Sequence, residues 1–239
     1  METNKKQIKL ARLTGVIYLL IIIGGLYSGI MVRNNLIDYT NATVTAQNII
    51  EHELLYRIGF LADFVMVISD VIISVLFFFL LKQVNKSLAI FATVFRLIQS
   101  AILGANLINL FSPLIYLKGY AEISTSEQEL LANLVLKQLQ IFELGYLVSG
   151  VFFSFNCFLM GYLLYKSNFI PKAWGAFIFI AGVSYFTNCL VNFLFPQYAD
   201  FSQLLVLVGA IFAELSLCLY LLIKGVRIVK TSYFTNSIA

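Results

Sequence analysis

The chain has 239 residues, of which 60% are hydrophobic and only 12% charged, and its mean hydropathy is +0.89. A soluble domain carries about 25% charged residues, so a soluble globular protein is excluded and an integral membrane protein is expected. The net charge of +4 comes from basic residues at the ends of apolar runs, where membrane topology explains them, and points to no nucleic-acid partner.

Only helices and closed barrels span lipid. The apolar runs are continuous rather than alternating, which selects helices. After a short polar tail with Lys5, Lys6 and Lys9, a first span is expected over residues 10–32, with a Gly25-Leu-Tyr-Ser-Gly29 face that lets another helix approach closely. A long polar connection follows. Its part from Thr45 has helical periodicity and a Thr cap, predicting an amphipathic helix along the membrane surface. The second span, 58–81, carries Asp63, Asp70 and Ser74 on one face. A tight basic turn leads to the third span, 88–116. Arg96, Gln99, Leu103 and Asn106 share one face of it. Ser124 and Glu127 have capping-box spacing and predict a second short surface helix. The fourth span is expected at 140–165 with Glu143 near its start, the fifth at 173–195, and the sixth at 203–223 with Glu214 near its middle. The fold class is therefore an all-α bundle of six transmembrane helices within one transmembrane domain, 1–239.

Loop charges orient it. Lys5, Lys6, Lys9, Arg12, Lys82, Lys86, Lys166, Lys172, Lys224, Arg227 and Lys230 lie on one side; Arg33, Arg57, Lys118 and Lys137 lie on the other. The positive-inside rule places both termini in the cytoplasm.

Five ionisable residues lie within or near the hydrocarbon. At about 1.5 Å of rise per residue, Asp70, Arg96 and Glu214 come roughly 12–17 Å from the inner ends of their spans. An arginine there costs about 2.5–3.5 kcal/mol even on lenient scales, so partners are required. Two acids for one base leave one acid over, which could carry a proton or bind a cation. Asp63, Glu143 and Asn106 fall in an outer, polar tier. The expected ligand site is therefore Arg96, Asp70, Glu214 and Gln99, approached past Asp63, Glu143 and Asn106. In it Arg96 would hold an anionic group or a counter-carboxylate. The competing reading is a structural lock between helices. Tyr18, Tyr27, Tyr146, Tyr162 and Tyr220 read as packing or interface anchors.

Enzymatic chemistry is disfavoured. One histidine, His52, lies in a loop, and Cys157, Cys189 and Cys218 lack metal-ligand spacing, so no metal or other cofactor is expected. No mid-membrane lysine, G-x-S-x-G or phosphate-binding loop is present. Asp63 and Asp70 are about 10 Å apart on one helix, too far to share a proton. No residue is assigned a catalytic role. The partners expected are the lipid bilayer and a small-molecule or ion ligand.

Several stretches together resemble a bacterial membrane family catalogued as domain of unknown function 4386: ARLTGVIYLLIIIGG from Ala11, YRIGFLADFVMVISDV from Tyr56, LLKQVNKSLAIFATVFRLIQSAILGANLINL from Leu80, GYLLYKSNFIPKAWG from Gly161 and AELSLCLYLLIKGV from Ala213. The resemblance covers about residues 8–228 and implies a multi-pass protein of the bacterial inner membrane. It supplies no activity or site residue. The leading functional reading is a small transporter or ligand-binding membrane protein with a polar site between helices 2, 3, 4 and 6. The alternative is a structural or regulatory membrane subunit whose buried ion pairs only lock the helices, and the third reading is an intramembrane enzyme.

Overall fold

The computed structural model describes residues 2–227; the tail beyond Arg227, with Lys230 of the charge count, lies outside the described residues. Every regular element among the described residues is helical. Among the described residues six helices are long and apolar enough to cross a membrane: Lys5–Leu36, Glu53–Leu81, Lys86–Glu122, Thr125–Lys166, Lys172–Leu194 and Pro196–Ile223. The protein is a multi-pass membrane protein of six spans. Large apolar side chains such as Ile23, Phe64, Ile108, Ile180 and Phe212 stay exposed around it, as a lipid-facing surface demands.

The first span is α1 (Glu2–Leu26), a π-helical segment Tyr27–Arg33, and one last turn, α2 (Asn34–Leu36). Next comes the surface helix α3 (Ala42–Glu51). It starts earlier than the Thr45 cap predicts, because Asn41 is the cap, its side chain accepting from the Val44 N–H at 3.1 Å. Thr45 instead exchanges hydrogen bonds with the Asp38 backbone at 2.8 and 2.9 Å. In the same loop the Thr40 hydroxyl and N–H both donate to the Asp38 carboxylate and hold it below its ordinary pKa. The second and third spans are α4 (Glu53–Leu81) and α5 (Lys86–Tyr116), joined by a tight turn in which Asn85 caps α5.

The fourth span is α6 (Thr125–Lys166), 42 residues long. The predicted capping box at Ser124 and Glu127 is present, but the expected second surface helix is no separate element: it runs straight on into the span. At about 1.5 Å per residue α6 is about 63 Å long, roughly twice a hydrocarbon core. Its first turns therefore project beyond the hydrocarbon, and α3 packs on them: Ala46 and Ile49 join Ala132, Val135 and Leu139 in one apolar cluster. The apolar face of α3 thus meets protein rather than lipid. The fifth span is α7 (Lys172–Leu194). The sixth is α8 (Ala199–Gly209), a π-helical segment Ala210–Leu215, and α9 (Ser216–Ile223). Gly225, at φ 70°, ends it in the left-handed region. The chain then turns so that the Arg227 N–H donates to the Phe169 carbonyl at 2.7 Å.

Each span packs chiefly against its chain neighbours, and the sixth closes against the first. The spans therefore form a ring. The closure is tight: a Cβ on Gly15 would stand 2.8 Å from the Leu222 backbone nitrogen. On the Gly25–Gly29 face, Gly25 meets Met66 of α4 while Gly29 opens onto the interior of the ring. The tight-turn end of the ring is filled by Ile73, Phe77, Leu81, Leu163, Leu164, Leu217 and Leu221, and the loop end by Val32, Ile49, Tyr56, Leu107 and Leu139. All three cysteines are buried and unpaired.

Candidate functional site

A cavity of about 620 Å³ lies inside the ring. All six spans line it, among them with Gly29 and Arg33, Met66 and Asp70, Arg96 and Gln99, Glu143 and Tyr146, Tyr185 and Asn188, and Val206 and Glu214. Ile37 and Tyr39, from the first connection, line it at the loop end. The volume falls within the range of about 300–1,000 Å³ typical of small-molecule sites. Sequence reasoning placed the site between four helices; ring closure brings the first and fifth to it as well.

Near the middle of the second and third spans the structure brings Arg96 and Asp70 together. Nε and Nη2 of Arg96 both donate to Asp70 Oδ1, at 3.0 and 2.5 Å, with side chains 2% and 5% exposed. Ser100 donates to Asp70 Oδ2 at 3.2 Å. Arg96 Nη1 stands 3.5 Å from Asn156 Oδ1, and Asn156 in turn donates to the Ala92 carbonyl at 2.8 Å. The guanidinium also lies over the ring of Phe153, 5.1 Å from its centroid. Such a site meets the cost of a buried guanidinium with charge-assisted bonds and an aromatic face.

Glu214 is the acid left over. Among the described residues it forms no ion pair; it accepts from Tyr185 Oη at 2.5 Å and Tyr18 Oη at 3.2 Å. Tyr18 therefore does more than pack, and Tyr185 was not anticipated. The available signal was depth: a tyrosine hydroxyl at mid-membrane needs a partner, and an unpaired carboxyl at the same level is one. Gln99 is 7% exposed and lines the cavity, yet its Oε1 has no hydrogen-bond partner.

At the loop end Asp63 is 1% exposed and pairs with Arg33, a residue the sequence reading counted as a loop charge. Ser28 adds a hydrogen bond to Asp63 at 2.6 Å. Ser28 and Arg33 are five apart, a spacing that does not share a face of an α-helix. The i→i+5 winding of the π-helical segment brings them to one side. The second π-helical segment, Ala210–Leu215, holds Glu214. Both departures from α-geometry thus carry polar groups to the interior. Glu143 lines the cavity near its mouth and accepts from Tyr39 Oη at 3.0 Å. Asn106 is not among the cavity walls. Its amide donates to the Phe142 carbonyl at 2.7 Å, and its Oδ1 accepts from Asn109, whose own Oδ1 accepts from Gln138. These amides tie the third span to the fourth.

Residues 13–225 match the family described as domain of unknown function DUF4386. The chain belongs to the DUF4386 family. An uncharacterized protein of Archaeoglobus fulgidus is 30% identical to it over 164 residues, 68% of this chain and 80% of that relative. No solved structure matches. The DUF4386 match takes in every residue that lines the cavity. That relative is archaeal, so membership does not imply a bacterial source. The family description assigns no activity, and the chemistry of this DUF4386 chain is read from its site. There two arginines are each engaged by an aspartate, while Glu143 and Glu214 line the cavity and form no salt bridge among the described residues.

Proposed function

We propose that this protein binds a small molecule or ion in the cavity of the ring and is a small transporter of the cytoplasmic membrane. In this reading both termini are cytoplasmic, as the basic tight turns favour, and the cavity opens to the outside past Tyr39 and Glu143. The observation that carries it is unused polar capacity at one cavity: among the described residues Glu214 forms no salt bridge and is held only by tyrosine hydroxyls, and Gln99, which also lines the cavity, keeps a buried Oε1 without a donor. A buried carboxyl without a salt bridge and a buried amide oxygen without a donor cost free energy that a ligand recovers. The test is a thermal-shift screen of detergent-purified wild type beside Glu214→Gln, across ions, lipids and metabolites. A ligand at a hundred times its dissociation constant adds about 2.7 kcal/mol of stability. Stabilisation of the wild type alone supports the reading, and silence across the screen sinks it.

One observation favours a second reading, a structural or regulatory subunit. Arg96 and Asp70 already satisfy one another, as a lock between the second and third spans requires.

A further inference from the structure

We infer that the occupant of the cavity is a small organic ammonium ion with an apolar or aromatic body, held by Glu214 and Gln99. This rests on the binding reading above and deepens it by naming the ligand class.

Charge decides first. The two cations at the cavity are engaged, Arg33 by Asp63 and Arg96 by Asp70 through two of its nitrogens. An anion entering to the level of Arg96 would meet Asp70 there and Glu214 at a similar depth, and would displace an existing pair. A cation meets the opposite situation, since Glu143 near the mouth and Glu214 at depth both line the cavity, held by tyrosine hydroxyls and in no salt bridge among the described residues. The ring imposes the same sign at both levels, so the approach and the end point favour one class of ligand.

Hydrogen bonding decides next. Gln99 lines the cavity, and a turn of its amide brings the unpartnered, buried Oε1 to it as an acceptor, while Glu214 offers carboxylate oxygens already held in place by Tyr18 and Tyr185. Both call for N–H donors. A primary ammonium has three and no acceptor, which matches this set.

Size and wall chemistry decide between an inorganic ion and an organic one. A bare metal cation needs several oxygen ligands at one point. Among the described residues no group of three or more His, Cys, Asp or Glu side chains could hold one. The space of about 620 Å³ is far larger than such an ion, and Tyr146, Phe153 and Tyr185 present rings to it. Aromatic walls and apolar volume suit the carbon body of an organic cation.

The experiment uses four probes on one scaffold with the full-length protein in detergent: phenethylammonium, its trimethylated quaternary analogue, 2-phenylethanol and 3-phenylpropionate. Binding is read by calorimetry and by melting temperature, for the wild type, Glu214→Gln and Gln99→Leu. The expected order is phenethylammonium first, the quaternary analogue weaker for want of N–H donors, and neither the alcohol nor the carboxylate detectable. Glu214→Gln, which keeps the shape of the side chain, should weaken phenethylammonium by about tenfold to a hundredfold, and Gln99→Leu by about two- to tenfold. Equal binding to wild type and Glu214→Gln overturns the inference. Tighter binding of the carboxylate or the alcohol overturns the ligand class and leaves the binding reading standing. No ammonium binding, with a hit elsewhere in the broad screen, again removes the class alone; silence in both removes class and binding reading together.

Discussion

Arg96→Met removes the guanidinium while keeping much of its apolar length, and it leaves Asp70, 3% exposed, with Ser100 at 3.2 Å as its remaining partner. Two bonds to Asp70 Oδ1, at 3.0 and 2.5 Å, are lost. Breaking a buried ion pair from one side costs about 3–5 kcal/mol in soluble proteins. Polar contacts in membranes average only about 0.6 kcal/mol, with a maximum near 1.7. This pair should fall between the two scales. It combines full charge with two donors converging on one carboxylate oxygen, but Asp70 lines the cavity and is not sealed in apolar packing. The expected loss is about 2–3 kcal/mol. Pairing Arg96→Met with Asp70→Leu should recover most of it, because apolar side chains can replace a matched buried pair, and the coupling energy should be about 2 kcal/mol. The assay is equilibrium unfolding from mild detergent into a denaturing one, over the four corners of the cycle. A single-variant loss below about 0.5 kcal/mol, or a double variant no better than the sum of the two singles, would refute the lock.

Three further outcomes test other parts of the structure. Gly15→Leu forces a side chain against the Leu222 backbone where even a Cβ has only 2.8 Å; it should lower stability by about 1–3 kcal/mol and loosen the closure between the first and sixth spans, seen as faster proteolysis near residue 222. Asn41→Ala removes the cap of α3 and should cost about 1 kcal/mol, with hydrogen exchange quickening over 42–51 and unchanged in the spans; a uniform change would contradict a local cap. Cys157, Cys189 and Cys218 are buried, so the wild type should resist a membrane-impermeant thiol reagent. Against that background Lys118→Cys should label in intact cells and Lys82→Cys only after permeabilisation, and the reverse pattern would invert the proposed orientation.

Much of the architecture was legible because hydrocarbon imposes length and polarity on a segment independently of its neighbours. The tight-turn ends of the spans fall within a few residues of expectation. The loop end of the fourth span does not, because α6 continues past the hydrocarbon, where a soluble-type cluster with α3 sustains it. Hydropathy sees the membrane and is blind to that cluster.

Site residues divide along a similar line. The faces 96–99–103 and 63–70–74 follow from α-helical period alone, and all six residues are buried. Arg33 escaped because its face depends on the π-helical turn before it, which no 3.6-residue count can supply. Tyr185 and Tyr18 escaped because they lie on the fifth and first spans, which only the closed ring sets beside Glu214.

By itself, then, the chain's composition and charge pattern determined the number of spans, a deep arginine that needed partners, and an acid in excess at its level. Those are one-dimensional consequences of placing charge in hydrocarbon. Tertiary structure alone decided which acid answers Arg96, which hydroxyls hold the other, that Asn106 serves a helix interface, and that a cavity exists. Each of these depends on how the helices are rotated about their axes and on the closure of the sixth span against the first, and rotation and closure are set by packing between distant parts of the chain.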